Sequence, residues 1–397
     1  MLSAWRWVVL TVFSLVNLSI QLLWITYAPV SSKAAAFYGV SDTAIGALAM
    51  SFMVAFLPMS IPASWVIDTR GFKFGVGVGA ALMAVFGPLR GLVGNSYALA
   101  MGCTVMLAIS QPFFLNAWTK CAALWFPQKE RATTVGVITL ANLVGTGVGM
   151  VATPALLEHH ALDTIQLWFG LVAAATSVLF FALAREKPAT PPEPGEPETR
   201  ALMFDGMKAS LKNRSFLKFL LILFIAMGVF NGLTTWIESI VKPRGFTTED
   251  AGNLGAVILV AGLVGAIVLA ALSDKQRQRR RYIVLGLLVG APGIAGLAFA
   301  TSLPLLFAAG AWSGFWMTGV MPVGFQYASE ITRPTPEGTS SGLAQLCGQA
   351  SVVFVFAMSA TRTADGSFTP SLIASVVLLV IAGVIATRLE EPNHAPA

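Results

Sequence analysis

Asn17, Gln21, Trp24 and Tyr27 recur at intervals of four, three and three inside one apolar run. That spacing lays them roughly along one face of a helix. Amides donate and accept hydrogen bonds, and the π face of an indole attracts a cation. The chemistry such a face offers is non-covalent recognition of a solute. A lipid-facing belt of Trp and Tyr is the competing reading, and the two amides on the same face favour an inward aspect. Similar stripes recur further on: Ser110 and Gln111 with Asn116 and Lys120; Thr139, Asn142 and Thr146; Asn231, Thr235 and Glu238 beside Trp236; Ser341, Gln345 and Gln349. Polar groups inside a bilayer cost free energy unless partnered, so each is a candidate for solute contact. Hydrogen bonding between helices is the alternative for every stripe. It is favoured for Thr139, Asn142 and Thr146, which lie among glycines, whereas Gln111 and Gln349 read as solute contacts. Glu238 has three open roles: neutralising a cationic solute, accepting a coupling proton, or pairing with Lys242 one turn on.

The elements that must position these residues are membrane spans. The chain is 56% hydrophobic and only 11% charged over 397 residues, too few charges to cover a water-facing surface. Apolar runs of about twenty residues, each enough to cross the hydrocarbon as a helix, follow one another along the chain. Helices are the spanning form that leaves no backbone group unpaired. The runs predict helices near 5–30, 42–67, 74–93, 97–119, 132–156, 165–184, 215–240, 250–273, 282–301, 304–328, 339–360 and 369–388. With an even number of spans both termini share one side. Twenty of the 25 lysines and arginines fall on that side, which makes it the cytoplasmic one. The first run is too long for a signal peptide, lacks a cleavage site and is followed at once by further spans.

A proline-rich, charged stretch at 186–213 reads as a linker. It divides the chain into a six-helix bundle over 1–185 and a second over 214–390. The loop after the second span, Asp68-Thr69-Arg70-Gly71-Phe72-Lys73, has a counterpart after the eighth, Asp274-Lys275-Gln276-Arg277. Matching loops in two halves point to a duplicated transporter architecture. Gly71 permits a tight turn there. Cys103, Cys121 and Cys347 sit in apolar runs without a spacing pattern, so neither a disulfide framework nor a metal site is expected. His159 and His160 lie in an outer loop, where a heme or metal ligand is the minor reading. No phosphate-binding P-loop, His-Glu-Xaa-Xaa-His or Gly-Xaa-Ser-Xaa-Gly occurs, which argues against an ATP-driven pump or a membrane hydrolase.

The segment Asp68 to Lys73 resembles the loop motif of the major facilitator superfamily. Further segments are similar to the feline leukaemia virus subgroup C receptor family of choline, ethanolamine and heme transporters: Ser14-Leu15-Val16-Asn17, Trp24-Ile25-Thr26-Tyr27, Phe37-Tyr38-Gly39-Val40, Pro62-Ala63-Ser64-Trp65, Leu124-Trp125-Phe126-Pro127, Ala141-Asn142-Leu143 and Pro336 to Gly342. Short loops and tails give the chain a prokaryotic look. The resemblance implies an all-α membrane protein: twelve transmembrane helices in the major facilitator fold of two pseudo-symmetric six-helix bundles. It also implies an aromatic cage for a quaternary ammonium group. The cage tryptophan falls on Trp24 and its flanking glutamines on Gln111 and Gln349. The cage tyrosine falls on Asn231, which is not aromatic, so Trp236 or Trp316 would have to replace it. A latch against the cytoplasm would use Asp68, Arg70, Gly71, Lys73, Lys129, Arg131, Asp274, Glu330 and Arg333, with Glu330 paired to Arg333. No carboxylate lies in the middle of spans one, four or five, which favours facilitated diffusion over proton coupling. The expectation is therefore an alternating-access carrier, with no enzymatic activity and no cofactor. It would be a monomer in a bacterial inner membrane, moving a small cationic amine such as choline and binding no nucleic acid. A carrier of another metabolite, a drug or heme, or a receptor that does not translocate, are the alternatives.

Overall fold

The computed structural model describes residues 4–189, 208–333, 335 and 337–392, with side chains at all of these but 128, 129, 132, 337–339 and 341. Among the described residues every regular element is helical. Twelve helices are long and apolar enough to cross a membrane: α1 Trp5–Tyr38, α2 Asp42–Arg70, α3 Phe72–Leu92, α4 Tyr97–Trp125, α5 Thr133–Leu157, α6 Leu162–Leu183, α7 Arg214–Thr235, α8 Thr248–Gln276, α9 Arg279–Phe299, α10 Leu303–Ile331, α11 Gly342–Ala360 and α12 Thr369–Ala386. The protein is a multi-pass membrane protein.

The chain divides into two compact units, Met1–Pro197 and Glu198–Ala397. In the first, the principal pairings are α3 with α6, α1 with α5 and α6, and α4 with α2 and α3. In the second they are α9 with α12, α7 with α11 and α12, and α10 with α8 and α9. These are the same pairings six spans on, so each unit is one copy of a repeated bundle. The first unit packs Phe13, Val16 and Ile20 of α1 on Phe72, Val76 and Met83 of α3 and on Phe169 and Phe180 of α6. Phe13 and Phe72 meet edge to face at 5.1 Å. Where α3 crosses α6 the backbones nearly touch, since a Cβ on Gly170 would lie 2.3 Å from the Gly87 carbonyl oxygen. Small residues permit this approach, which stands in for a hydrophobic driving force that lipid does not supply. Outward faces stay apolar, as with Leu171, Val172 and Val178 of α6.

Six of the described spans are interrupted, among them the first and fourth of each unit. α1 is helical over Trp5–Ile25, passes through a 3₁₀ turn at Ala28–Val30 containing Pro29, and resumes over Ser31–Tyr38. α4 runs over Tyr97–Leu115 and again over Trp118–Trp125, breaking just after Pro112. Proline removes a helical hydrogen bond and crowds the preceding turn. α7 breaks at Trp236 before the short helix Ile237–Val241. α10 carries a π turn at Gly314–Thr318 before Met321–Ile331. α9 and α11 also bend, at Val289–Gly290 and at Ser351. The first span therefore extends past its expected end at residue 30, because Ser31, Ser32 and Lys33 form a helical return where polar residues suggested a loop. The fourth extends past 119 to Trp125. Most of the expected linker, 190–207, lies outside the described residues.

Candidate functional site

The interrupted helices hold most of the polar candidates. On α1, Asn17 is fully buried. Its Nδ2 donates to the Phe13 carbonyl at 2.8 Å, and its Oδ1 accepts from the Trp118 indole at 2.8 Å. Tyr27 is also buried, its hydroxyl 3.0 Å from that of Tyr38. Neither lines a cavity, contrary to the reading of the stripe as one open face. The helical period is right, but Trp118 covers the level of Asn17 and the Ser31–Tyr38 return covers Tyr27. Gln21 and Trp24, between them, stay half-buried. The Trp24 indole donates to the Ala49 carbonyl at 3.3 Å, which fixes the ring against α2.

On α4, Gln111 is 3% exposed and its Oε1 has no hydrogen-bond partner among the described residues. An unpaired buried acceptor costs about 1–3 kcal/mol, so a ligand with a donor would be favoured there. Asn116 is spent between helices, donating to the Ser60 carbonyl and to the hydroxyls of Ser60 and Ser64 at 2.9–3.0 Å. On α5, Thr139 and Thr146 donate back to carbonyls one turn earlier. Both amide atoms of the buried Asn142 are unpaired among the described residues.

In the second unit, Asn231 donates to the Ser351 hydroxyl at 3.2 Å, joining the lower side of the α7 break to the α11 bend. Thr235 is buried with an unpaired hydroxyl. Trp236 is core: its indole donates to the Val355 carbonyl at 3.0 Å and stacks on Phe368 at 5.7 Å. It is no substitute cage wall. Glu238 is fully buried and accepts from the Thr248 hydroxyl at 2.8 Å, whereas Lys242 is exposed, so the expected surface pair at the helix end is not the carboxylate's environment. Trp316 lies half-buried in the π turn beside Phe315, with ring centroids 5.4 Å apart. A small apolar cavity opens next to that turn between Phe230, Leu233, Ile258, Met317 and Thr318. Gln345 and Gln349 are half-buried one turn apart on α11.

The charged loop residues form two knots. At the end of α2, Asp68 pairs with Lys120 at 3.3 Å, and the same ammonium donates to the Ile67 carbonyl at 2.8 Å. Arg70 is exposed, its guanidinium 6.0 Å from the Phe74 ring centroid. Gly71 turns the chain at φ 100°, a conformation that suits glycine. A Cβ there would sit 2.4 Å from a Glu186 oxygen. That carboxylate accepts the backbone N–H groups of Phe72 and Lys73, each at 2.7 Å, and so caps the start of α3. Arg131 donates to the Phe126 carbonyl at 3.4 Å, and the Lys129 side chain lies outside the described residues.

In the second knot Arg279 grips Glu330 through Nε at 3.1 Å and Nη2 at 3.0 Å, and also contacts Asp274. The pairing of Glu330 with Arg333 is thus corrected: the bidentate partner is Arg279, and Arg333 is exposed. Glu391 accepts the backbone N–H groups of Arg279 and Arg280 at the start of α9. Glu186 after α6 and Glu391 after α12 are therefore the same device twice. Between α7 and α8, Arg244 donates to the carbonyls of Ile240 and Ala300. Burial pulls its pKa below the ordinary arginine value.

A family model described as Major Facilitator Superfamily matches residues 8–356 and 245–397. The chain belongs to the Major Facilitator Superfamily. Its spans carry that family's fold, two pseudo-symmetric six-helix bundles, and it is a small-molecule transporter of the membrane. It is 28% identical to the choline/ethanolamine transporter FLVCR1 of Felis catus, over 98% of this chain and 73% of that protein. It is 28% identical to solute carrier family 49 member A3 of Danio rerio, over 96% and 85%. To the choline/ethanolamine transporter FLVCR2 of Homo sapiens it is 27% identical, over 87% and 69%. A crystal structure of a bacterial homologue of the human lysosomal transporter Spinster superposes over 100% of both chains at TM-score 0.79 and 15% identity.

Within this superfamily member, sequence reasoning passed over Glu186, Arg279, Ser351 and Glu391. A signal for the two caps was present: Glu186 and Glu391 both follow directly on the sixth span of their half.

Proposed function

We propose that this transporter moves a small cationic amine, choline or a related amino alcohol, by alternating access and down its gradient. It does so in a bacterial inner membrane with both termini cytoplasmic. The observation that carries the reading is the buried, unpaired Oε1 of Gln111 on the same unit as the half-buried Trp24. An indole face attracts an ammonium by about 2 kcal/mol or more once water is excluded, and the amide oxygen takes a hydroxyl or N–H donor. The relatives named for choline and ethanolamine support the same class of solute. Because Asn231 stands where the resemblance puts a second aromatic wall, donor-bearing amines gain relative to fully methylated ones. Gln21 is the further contact of this reading in the first unit, and Thr235, Trp316, Gln345 and Gln349 are the candidates that the second unit offers.

Uptake of labelled choline and ethanolamine into proteoliposomes tests it. Trp24→Ala should lower uptake of either amine tenfold or more in protein that still unfolds cooperatively. Gln111→Leu should cost ethanolamine more than choline. Uptake unchanged in Trp24→Ala would remove the indole from the site, and saturable binding without flux would make the protein a receptor.

A further inference from the structure

Arg90, on the last turn of α3, is 1% exposed. Its Nη1 donates to the Leu23 carbonyl at 3.0 Å, one of the carbonyls that α1 frees where it breaks. Its carbon Cζ lies 5.1 Å from the centroid of the Tyr27 ring. Nε and Nη2 have no hydrogen-bond partner among the described residues. The groups around the guanidinium are the phenols of Tyr27 and Tyr38, bonded to each other, and the Cys103 thiol of α4. No carboxylate among the described residues forms an ion pair with it. Asp163 is the acid whose field reaches Tyr38, and its Oδ1 is engaged by the Thr164 backbone N–H at 2.7 Å.

An arginine is a permanent cation. A buried one is normally paired, and an uncompensated charge in a membrane interior is strongly unfavourable. A carbonyl and a π face compensate only part of it, on one edge of the guanidinium. The edge left over, Nε–H beside Nη2–H, is the parallel pair of donors that a compact anion or a carboxylate accepts. Of the two phenol hydroxyls beside it, one donates to the other, which leaves one further rotatable donor. We infer that Arg90, with Tyr27 and Tyr38, forms a binding site for a small monovalent anion in the first unit, at the end of α3 remote from the Asp68 knot. This site is separate from the Trp24 and Gln111 contacts, and it stands whether or not the solute is an amine. The anion would tie α3 to the α1 break and so stiffen the elbow that follows Trp24.

Two sources share this chemistry: an inorganic halide, or the carboxylate of an organic molecule. The test is thermal unfolding of the purified full chain in nanodiscs at constant ionic strength, with sodium gluconate replaced stepwise by chloride, bromide or acetate. A saturable rise in unfolding temperature of several degrees with chloride and bromide identifies the halide source, and a rise with acetate alone identifies the carboxylate source. In Arg90→Gln the rise should vanish. Should that variant not fold, bromide with the wild-type protein settles the matter by anomalous scattering. A peak within hydrogen-bond reach of Nε and Nη2 upholds the site. Equal stability in all four salts, a full response in Arg90→Gln, or bromide peaks elsewhere but not there, would overturn it.

Discussion

Arg279 is gripped by two carboxylates of very different burial. The side chain of Glu330 is 9% exposed and that of Asp274 is 65% exposed, against 8% for Arg279 itself. Removing one member of a buried pair strands the other charge, at a cost of about 3–5 kcal/mol, whereas an exposed partner contributes at most about 1 kcal/mol. Glu330→Ala should therefore lower stability by about 3 kcal/mol in chemical or thermal unfolding, and Asp274→Ala by under about 1 kcal/mol. Adding Arg279→Met to Glu330→Ala should recover part of that loss, because the charge then left without its partner, Asp274, is the exposed one. Equal effects of the two single substitutions would mean that the knot is solvated throughout. At this scale the sequence showed residue types but not partners. Trp24 and Gln111 stand out as candidates in the sequence because an indole and an amide inside an apolar run each need a partner. Asn17 and Tyr27 share their helical face and yet are packed away. What covers them is Trp118 of α4 and Tyr38 from beyond the break in α1 itself, so the helical period before the break does not record it.

Helix contacts in this protein are set by how closely backbones approach. Gly170 lies against Gly87 and its following proline so tightly that any Cβ would collide with backbone. Backbone cannot give way as a flexible side chain can, so Gly170→Ala should separate α3 from α6 and destabilise by about 1–3 kcal/mol. Gly102 on α4 has nothing within 4 Å of the corresponding position. Gly102→Ala should be neutral or stabilising by up to about 1 kcal/mol through helix propensity alone. Unfolding temperatures of the two variants in one detergent check both, and a Gly170→Ala protein as stable as wild type would refute the close-contact account. The spans themselves were readable because about twenty apolar residues in sequence admit few other structures. Their breaks were less so. Pro29 and Pro112 are visible marks, but α7 breaks at Trp236 with no proline near it, and the π turn of α10 has no proline inside it. Those two arise from packing among neighbours, which residue order alone does not encode.

For the molecule entire, charge placement supports the proposed orientation, with both termini cytoplasmic. Lysines and arginines gather at the span ends that share a side with the termini, and such ends remain cytoplasmic during insertion. In a background with Cys103, Cys121 and Cys347 replaced, a cysteine at His159 should react with an impermeant maleimide in intact cells. One at Gln276 should react only after the membrane is opened. The opposite pattern would invert the assigned topology. The duplicated plan was legible from the loops at Asp68 and Asp274, and the recurrence of the same helix pairings in both units is what that duplication looks like in three dimensions. The acidic caps went unnoticed, as did Arg279 and Ser351, because such residues carry little information until their hydrogen-bond partners are known.

The π turn at Gly314–Thr318 inserts one surplus residue into α10, and an α-helix advances about 100° per residue. Everything after it is therefore out of phase with everything before it. Glu330, to which Gln326 donates at 2.8 Å, meets Arg279 with that offset in place, so a single-residue deletion in the turn would swing the carboxylate about a quarter of the way round the helix axis. A defect near the aromatic Trp316 thus sets the aim of a charge several turns away, and the two ends of α10 are geared to each other.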